Sequence, residues 1–147
     1  MKEIERKFLV DKKKWTAIAK PEPILIIQGY ISKTESNVVR IRTKDQKAYL
    51  TIKSATVGIS RNEYEYEVPI NEAQEMIQQF CPKYIQKNRY EIPFSKHLWE
   101  VDEFILPNKG LLLAEIELKS EHEQFSLPDW LGKEVSHDPS YFNSNML

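Results

Sequence analysis

Alternation of polar and apolar residues with a period of two is the feature that most limits what this chain can fold into. Over segments of several residues separated by turn signals, such alternation is typical of β-strands, because successive strand residues point to opposite faces. The alternation covers eight segments, residues 2–9, 26–32, 37–43, 47–54, 61–69, 84–92, 98–105 and 111–119. Eight strands joined by short turns predict a mainly β fold, either an antiparallel barrel or a sandwich.

The stretches between these segments contain turn and helix signals. Hairpin turns are predicted at residues 44–46, 56–58 and 107–110. Short helices are predicted over residues 11–19 and 71–80 and from 138 onwards at the C-terminus, with a short turn near 127–131. Asp11 and Asn71 are the predicted N-caps of the first two helices, and Asp138-Pro139 is a typical opening for the third.

Composition and length limit the class of protein. With 147 residues, 41% of them hydrophobic, the chain suits a single domain over residues 1–147 and is unlike a disordered segment. The single cysteine, Cys81, excludes an intrachain disulfide, and the three histidines lack the spacing of zinc ligands. No apolar run has the length of a signal-peptide core or a membrane span, so we expect a cytoplasmic protein with no membrane partner.

The charged residues are numerous and almost balanced. The chain carries 21 basic and 22 acidic side chains, for a formal net charge of -1, so we expect no nucleic-acid partner. The strand period nevertheless sorts these charges, because residues i and i+2 share a face. Acidic pairs on one face are Glu3/Glu5, Glu63/Glu65, Glu100/Asp102 and Glu115/Glu117, and basic pairs are Arg40/Arg42 and Lys87/Arg89.

Two interpretations of these charged faces compete. In an ordinary antiparallel sheet the polar face is solvated and its charges form cross-strand ion pairs. Like charges side by side on one strand repel, however, so a sheet built for stability gains nothing from them. If the strands close into a barrel with the charged faces inward, the lumen suits a highly charged ligand. Basic pairs suit phosphate oxygens and acidic pairs suit Mg2+ or Mn2+, which together are typical of metal-assisted phosphoryl chemistry.

A series of short motifs, in order along nearly the whole chain, resembles a known family. Glu3-Ile4-Glu5-Arg6-Lys7 matches the E-x-E-x-K signature of the CYTH domain, the triphosphate tunnel metalloenzyme superfamily. The further motifs are Gln28-Gly29-Tyr30, Val39-Arg40-Ile41-Arg42, Thr51-Ile52-Lys53, Arg61-Asn62-Glu63-Tyr64-Glu65, Lys87-Asn88-Arg89, Trp99-Glu100-Val101-Asp102 and Ala114-Glu115-Ile116-Glu117. The resemblance implies a closed eight-stranded antiparallel β-barrel, with a few short helices packed outside and a C-terminal helix.

The resemblance also implies a role for individual residues in a tunnel that holds a triphosphate and metal. The implied metal ligands are Glu3, Glu5, Glu63, Glu115 and Glu117, with Glu65 and Asp102 assisting. The implied phosphate-binding residues are Lys7, Arg40, Arg42, Lys53, Arg61, Lys87 and Arg89. Lys7 and Tyr30 are the implied catalytic residues, positioned around the attacking water.

The short bacterial members of the family, which this chain resembles in length and motif spacing, hydrolyse inorganic tripolyphosphate to pyrophosphate and phosphate. The resemblance therefore implies a metal-dependent triphosphatase that uses Mg2+ or Mn2+, as two ions. Alternatives of the same class are a class IV-type adenylyl cyclase and a thiamine or nucleoside triphosphatase. The alternative from another class is a non-catalytic polyphosphate-binding module, which would gain nothing from so many carboxylates. Monomer and homodimer both stay open.

One position departs from the family pattern. Ser140 stands where many members have Arg or Lys, so either one phosphate contact is missing or Lys133 replaces it. The remaining candidates have structural interpretations. We interpret Glu67, Glu91 and Lys119 as rim or surface charges, and Trp15, Trp99 and Trp130 as packing residues outside the barrel.

Overall fold

The computed structural model describes all 147 residues. Its strands are β1 (Lys2–Val10), β2 (Ile24–Lys33), β3 (Asn37–Lys44), β4 (Lys47–Ser54), β5 (Ser60–Val68), β6 (Ile85–Phe94), β7 (His97–Leu106), β8 (Leu112–Leu118) and β9 (Leu131–Glu134). Its helices are α1 (Lys12–Ala17) and α2 (Ile70–Phe80). All eight predicted strands are present as β1 to β8. Period-two alternation predicted them correctly, because it is typical of strands whose two faces lie in different environments.

The first eight strands close into an antiparallel barrel. Neighbouring strands pair in the order β5-β4-β3-β2-β6-β7-β8-β1, and β1 returns to β5 where residues 2–4 pair with 60–62. The predicted closed barrel is therefore confirmed, and the sandwich is excluded. In this ring β1 and β2 lie opposite each other, because three strands separate them on either side.

Aromatic side chains pack on the outside of β1, β7 and β8. Trp99 is fully buried there and makes edge-to-face contacts with Phe8 and Trp130, at centroid distances of 5.6 and 5.9 Å. Trp15 of α1 packs on Trp130 at 5.4 Å, which anchors that short helix to the barrel. Such pairs bury large apolar areas in a favoured geometry. The prediction that the tryptophans are packing residues is therefore confirmed.

Helix α2 covers the outside of β2, β3 and β4 through Ala73 and Ile77, both buried. Cys81, the residue that follows this helix, packs very closely against Gly29 of β2. A Cβ atom on Gly29 would lie 2.5 Å from the Sγ of Cys81, so no larger residue fits at this position without displacing Cys81. Gly29 faces outward and lets the next residue, Tyr30, face the lumen. Cys81 is buried and packs as a small apolar residue.

The inward face of the barrel changes from charged to apolar along its length. Ile85, Phe104 and Leu113 occupy inward positions two residues from Lys87, Asp102 and Glu115, and they cluster with Val135. We call Ile85, Phe104, Leu113 and Val135 the apolar floor. Its members are between 0% and 5% exposed, so the charged lumen has a dry, packed end.

Residues 139–147, the C-terminal crossing segment, span the barrel opening. Lys7 Nζ on β1 donates to the carbonyl of Tyr141 at 3.0 Å, and Lys33 Nζ on β2 donates to the carbonyl of Ser144 at 2.9 Å. Because β1 and β2 are opposite strands of the ring, a segment bonded to both must cross the opening. Tyr141 and Met146 of this segment also pack on the apolar floor.

The C-terminal part differs from the prediction in two ways. Residues 131–134 form a ninth strand, β9, which pairs with β1 where only a short turn was predicted. The C-terminal helix takes the form of two 3-10 turns, Pro139–Tyr141 and Asn143–Asn145. Asp138 caps the first turn as predicted, but Phe142 is extended, with φ −74° and ψ 129°, so a continuous helix cannot form.

The other helices match the prediction with small shifts. Asp11 caps α1 as predicted, accepting from the backbone N–H of Lys14 at 3.1 Å. Helix α2 starts at Ile70 with Pro69 as its N-cap, so the prediction that Asn71 caps it was wrong. No helix in the structure has the length and apolar character that crossing a membrane requires.

Candidate active site in the barrel lumen

The barrel encloses a cavity of about 240 Å3 lined mainly by charged side chains. All of the predicted site residues except Asp102 line it. The strand register explains this convergence: on β1, Glu5 lies opposite Glu117 and Lys7 lies opposite Glu115 of β8. Paired residues of neighbouring strands point to the same side. The charged faces therefore point inward, and the solvated-sheet interpretation is wrong for them.

One side of the lumen holds the basic cluster, which we define as Lys87, Arg89 and Asp102. Arg89 donates from Nε and Nη2 to both carboxylate oxygens of Asp102, at 2.8 and 2.9 Å, while Lys87 Nζ lies 2.7 Å from Oδ2. None of the three is more than 5% exposed. Asp102 lies behind the cavity wall as a counterion of these cations, so the structure does not bring it together with the other predicted metal ligands.

Burial and charge act in opposite directions within the basic cluster. Burial favours the neutral form of Asp102, but Arg89 and Lys87 outweigh it and lower the pKa of Asp102 to about 2. Burial lowers the pKa of Lys87 to about 7, with Arg89 and Arg42 adding to the effect and Asp102 opposing it. An additional negative group in the lumen would therefore stabilise the charged form of Lys87.

Two guanidinium groups of the lumen have no carboxylate partner within salt-bridge distance, those of Arg42 and Arg61. Arg42 donates from Nε to the side-chain oxygen of Gln28 at 2.8 Å. Burial, followed by the like charges of Arg40 and Arg89, lowers the pKa of Arg42 to about 9. A buried cation without a counterion is costly, so these positions suit a bound anion.

The other side of the lumen holds the acidic cluster, which we define as Glu3, Glu5, Glu63, Glu115 and Glu117. Burial, followed by the charges of Glu115 and Glu3, raises the pKa of Glu5 well above its usual range. Burial and the hydrogen bond with Glu3 raise the pKa of Glu63. Burial and the charges of Glu3 and Glu100 raise that of Glu117. These three carboxylates lack sufficient positive charge around them.

Lys53 is the cation that stands between two members of the acidic cluster. Its Nζ lies 3.0 Å from Glu3 Oε2 and 3.1 Å from Glu63 Oε2. Its hydrogen bond goes to the other oxygen, Glu3 Oε1, at 3.3 Å, so Oε2 is buried in an ion pair without a hydrogen bond. Burial opposes ionisation of Glu3, but Lys53, Glu63 and Arg61 outweigh it and lower its pKa to about 2.

The donor set of the acidic cluster fits a divalent cation that shares its ligands with a phosphate. No three carboxylate, imidazole or thiolate groups lie close enough together to enclose an ion by themselves. Mg2+ is usually held by one or two carboxylates together with phosphate oxygens and water, so such a cage is not needed. Burial and neighbouring carboxylates disfavour the charged forms of Glu5 and Glu63, so a bound cation would relieve the repulsion among these groups.

Lys7 and Tyr30, the predicted catalytic residues, both line the lumen but have different partners. Lys7 Nζ lies 3.6 Å from Glu115 Oε1 in addition to its bond with the Tyr141 carbonyl. The Tyr30 hydroxyl accepts from Gln28 Nε2 at 2.9 Å. Because Arg42 is a donor only, it fixes the oxygen of the Gln28 amide and so directs Nε2 towards Tyr30. No hydrogen bond joins Lys7 to Tyr30.

Comparison with known proteins agrees with this geometry. The family model of the CYTH domain matches residues 1–142. The chain belongs to the CYTH family. It is 48% identical over 147 residues to an inorganic triphosphatase of Acetivibrio thermocellus, covering 99% of this chain and 93% of the relative. It is 32% identical over 148 residues to an inorganic triphosphatase of Nitrosomonas europaea, covering 97% and 95% of the two chains.

Solved structures show the same CYTH barrel. A crystal structure of an inorganic triphosphatase matches with a TM-score of 0.68 at 29% identity, covering 98% of this chain and 93% of that one. A candidate adenylyl cyclase from Hippeastrum, described as having a dominant triphosphatase activity, matches with a TM-score of 0.63 at 15% identity. That match covers 80% of each chain and shows a shared fold alone.

Several residues that line the lumen of this CYTH chain were given no site role by the sequence reasoning. Glu100 lines the cavity and bonds Arg89 at 3.2 Å; its strand parity, shared with Asp102, was the signal. Lys44 lines it as well, at the next inward position after Arg42. Gln28, within a quoted motif, is fully buried between Arg42 and Tyr30. Asn143 had no signal, because no strand or helix period places it.

The position that departs from the family pattern lies outside the lumen. Ser140 is exposed, and its backbone N–H and hydroxyl both donate to Asp138 Oδ1. Lys133 is exposed on β9 and does not line the cavity, so of the two alternatives the structure favours a missing phosphate contact. Glu67, Glu91 and Lys119 also lie outside the cavity, as expected.

Proposed function

We propose that this chain hydrolyses inorganic tripolyphosphate to pyrophosphate and phosphate with the help of a divalent cation. The observation that carries the proposal is the sorting of the lumen into a basic cluster with unpaired guanidinium groups beside it and an acidic cluster short of positive charge. A metal–triphosphate complex supplies the charge that each side lacks. The two inorganic triphosphatases among the relatives support the same reaction.

The basic residues would hold the phosphates in an extended row along the lumen. Arg40, Arg42, Lys53, Arg61, Lys87 and Arg89 would bind non-bridging oxygens, with the arginines binding in the bidentate manner that suits phosphate. Asp102 would not touch substrate; it orients Arg89 and Lys87 towards the lumen. Catalysis of phosphoryl transfer rests on holding the substrate in one geometry and on stabilising its charge, and these residues would serve both.

Two divalent ions, Mg2+ or Mn2+, would be held by Glu3, Glu5, Glu63, Glu115 and Glu117, with Glu65 at the edge. When bound, the cation neutralises the charge that develops on the phosphate oxygens. Glu65 is 39% exposed at its side chain and already accepts from Thr51 at 2.9 Å, which suits a contact through water.

Lys7 and Tyr30 would act on the attacking water. The water oxygen would form a bond to a terminal phosphorus while the bond from that phosphorus to the bridging oxygen breaks; pyrophosphate leaves, and the proton lost by the water passes to the leaving pyrophosphate or to solvent. Because Gln28 donates to the Tyr30 oxygen, the phenol hydrogen stays available to orient this water. Lys7 would bind the same phosphate and hold the water close to it.

The lining of the lumen favours an inorganic substrate over a nucleotide. Besides Tyr30, the apolar side chains that line it are only Val38, Ile59 and Phe142, which is too little surface for an adenine ring. An adenylyl cyclase or a nucleoside triphosphatase would need such a surface. A non-catalytic polyphosphate binder would need the guanidinium groups but not the acidic cluster.

One assay separates these alternatives. The purified chain is incubated with tripolyphosphate, ATP or thiamine triphosphate in Mg2+ or Mn2+, and phosphate, pyrophosphate and cyclic AMP are measured. We expect phosphate and pyrophosphate from tripolyphosphate, with activity lost in EDTA and in Glu5→Ala. Tight tripolyphosphate binding without turnover in either metal would overturn the proposal in favour of a binding module. Formation of cyclic AMP would overturn it in favour of a cyclase.

A further inference from the structure

Asn143 is the residue of the C-terminal crossing segment that is most tightly bonded to the lumen. Its side-chain oxygen accepts from Lys87 Nζ at 2.8 Å and from Gln28 Nε2 at 3.4 Å. Lys87 is fully buried and Gln28 is 0% exposed, so two ordered groups of the barrel wall hold this amide. The bonds connect the segment directly to the basic cluster.

The orientation of the Asn143 amide follows from the chemistry of its partners. Lysine has only donors, so the atom that faces Lys87 must be the amide oxygen. Gln28 also presents a donor, because Arg42 holds its oxygen. The Asn143 nitrogen Nδ2 must therefore point away from both. This nitrogen has no hydrogen-bond partner and is not buried. Asn143 lines the cavity, so Nδ2 is available to a ligand there.

Asn143 also stands where the charged lumen ends. Lys87, its partner, lies 5.4 Å from the ring centroid of Phe104, a member of the apolar floor. Tyr141 and Met146, on either side of Asn143 in the chain, pack on that floor. A phosphate group beyond Asn143 would have to enter an apolar, close-packed region, at a high desolvation cost.

We propose that Asn143 binds the terminal phosphate of the substrate through Nδ2 and, with the segment around it, ends the phosphate chain at this point. The inference rests on the proposed triphosphatase function and adds a limit on chain length. Asn143 supplies a neutral donor at the end of the lumen, on the same segment in which Ser140 replaces a basic residue. Linear polyphosphates longer than tripolyphosphate have no place for their further phosphates at this end.

The test compares linear tripolyphosphate and tetrapolyphosphate as substrates of the full-length chain, with Mg2+ and phosphate release as readout. The variant Asn143→Asp keeps the oxygen that Lys87 and Gln28 need and replaces Nδ2 by a second oxygen that repels phosphate. We expect its KM for tripolyphosphate to rise about tenfold or more, the effect of losing one hydrogen bond to a charged group. Binding of tripolyphosphate in EDTA, measured by calorimetry, should weaken by a similar factor.

Asn143→Ala tests the limit on chain length. In the unchanged chain we expect kcat/KM for tetrapolyphosphate to be about tenfold or more below that for tripolyphosphate, and in Asn143→Ala this ratio should shrink severalfold. Asn145→Asp is the matched control, because Asn145 belongs to the same segment, is exposed and does not line the lumen. It should leave both constants unchanged.

The outcomes separate this inference from the proposed function. If the unchanged chain hydrolyses neither polyphosphate, the proposed function fails, and only the calorimetric comparison then tests Asn143. If it hydrolyses tripolyphosphate and Asn143→Asp changes neither KM nor binding, the Asn143 inference alone is overturned. Equal effects of Asn143→Asp and Asn145→Asp would also overturn it, because they would indicate a general disturbance of the segment. Equal rates on the two polyphosphates would overturn the limit on chain length.

Discussion

The basic cluster and the acidic cluster lie in one lumen, on neighbouring groups of strands, and their charges are balanced in different ways. In the basic cluster, Asp102 is bonded by both Arg89 and Lys87, so its negative charge is permanent. In the acidic cluster, Glu5 and Glu63 have raised pKa values because burial and neighbouring carboxylates disfavour their charged forms. The basic cluster therefore carries its own counterion. In the acidic cluster, Lys53 and Lys7 pair with Glu3, Glu63 and Glu115, but Glu5 and Glu117 have no ion-pair partner and depend on a cation from outside.

This difference indicates which charges serve the fold and which serve the ligand. A buried ion pair with complete hydrogen bonds resists the removal of one partner, because the remaining charge is left without compensation. Carboxylates crowded against other carboxylates are in the opposite situation, because neutralising one of them relieves repulsion. Substitutions in the two clusters should therefore affect stability and activity in different proportions.

The largest effect on stability is expected from Asp102→Asn. The variant leaves Lys87 and Arg89 buried next to a neutral amide, and breaking a buried pair in this way costs about 3–5 kcal/mol. Urea unfolding at pH 7 measures the change in the free energy of unfolding. Glu100→Gln is the control, because Glu100 also bonds Arg89 but its side chain is 29% exposed. A loss of equal size in both variants would contradict the role of Asp102 as the permanent counterion.

The largest effect on activity is expected from Glu5→Gln. Losing one carboxylate of the acidic cluster should lower kcat for tripolyphosphate by about 10²–10³-fold, as for other groups that stabilise transition-state charge. Without metal the variant should be at least as stable as the unchanged chain, because Glu5 is surrounded by Glu115 and Glu3. Phosphate release and thermal unfolding in EDTA measure the two quantities.

Glu67→Gln is the matched control for Glu5→Gln, since Glu67 is exposed on β5 and lies outside the cavity. It should change neither activity nor stability. If Glu5→Gln instead destabilised the metal-free protein by as much as Asp102→Asn, the proposed difference between the two clusters would be wrong.

Arg89→Lys should have an intermediate effect, because it keeps the charge of the basic cluster and removes its bidentate geometry. Asp102 would keep one bond to the new ammonium group in place of two from a guanidinium. We expect a stability loss of about 1–2 kcal/mol, near that of one or two hydrogen bonds. KM for tripolyphosphate should rise while kcat changes less, and steady-state kinetics separate the two. An unchanged KM would indicate that Arg89 serves the fold alone.

Much of the lumen was predictable because strand parity is a local property. Glu3, Glu5 and Lys7 share a face whatever the fold, and the same holds for Arg40 and Arg42. Parity does not say how deep in the lumen a residue lies. Asp102 has the parity of a lumen residue, yet it does not line the cavity, because Arg89 and Lys87 bind its two carboxylate oxygens. These contacts depend on the register between β6 and β7.

The C-terminal part was less predictable because no period governs it. Asp138-Pro139 opened a turn as predicted, but the extended conformation of Phe142 depends on the barrel opening that the segment crosses. The apolar floor was missed for a related reason. Ile85 and Leu113 share parity with Lys87 and Glu115, and only the three-dimensional barrel shows that apolar residues at one end close a lumen that is charged elsewhere.

The smallest effect is expected outside the lumen, at the ion pair of Arg6 and Glu134. Arg6 donates from Nε and Nη2 to both oxygens of Glu134, at 2.7 and 2.5 Å, and Ser136 Oγ donates to the same carboxylate at 2.7 Å. These bonds, those of Arg6 first, lower the pKa of Glu134 below 4.5. A depressed folded-state pKa contributes stability above the unfolded-state pKa, and this is lost as pH falls through the folded-state value.

Glu134→Gln should therefore cost about 1 kcal/mol at pH 7, at the low end for such bonds because the Glu134 side chain is 32% exposed and partly screened by water. The difference from the unchanged chain should shrink as pH falls through the lowered folded-state pKa of Glu134, because Glu134 itself is then protonated. Urea midpoints at pH 7 and pH 3.5 measure this. Because Glu134 does not line the lumen, tripolyphosphate hydrolysis should stay unchanged. A loss of kcat comparable to that in Glu5→Gln would instead show that charges outside the barrel serve the ligand as well.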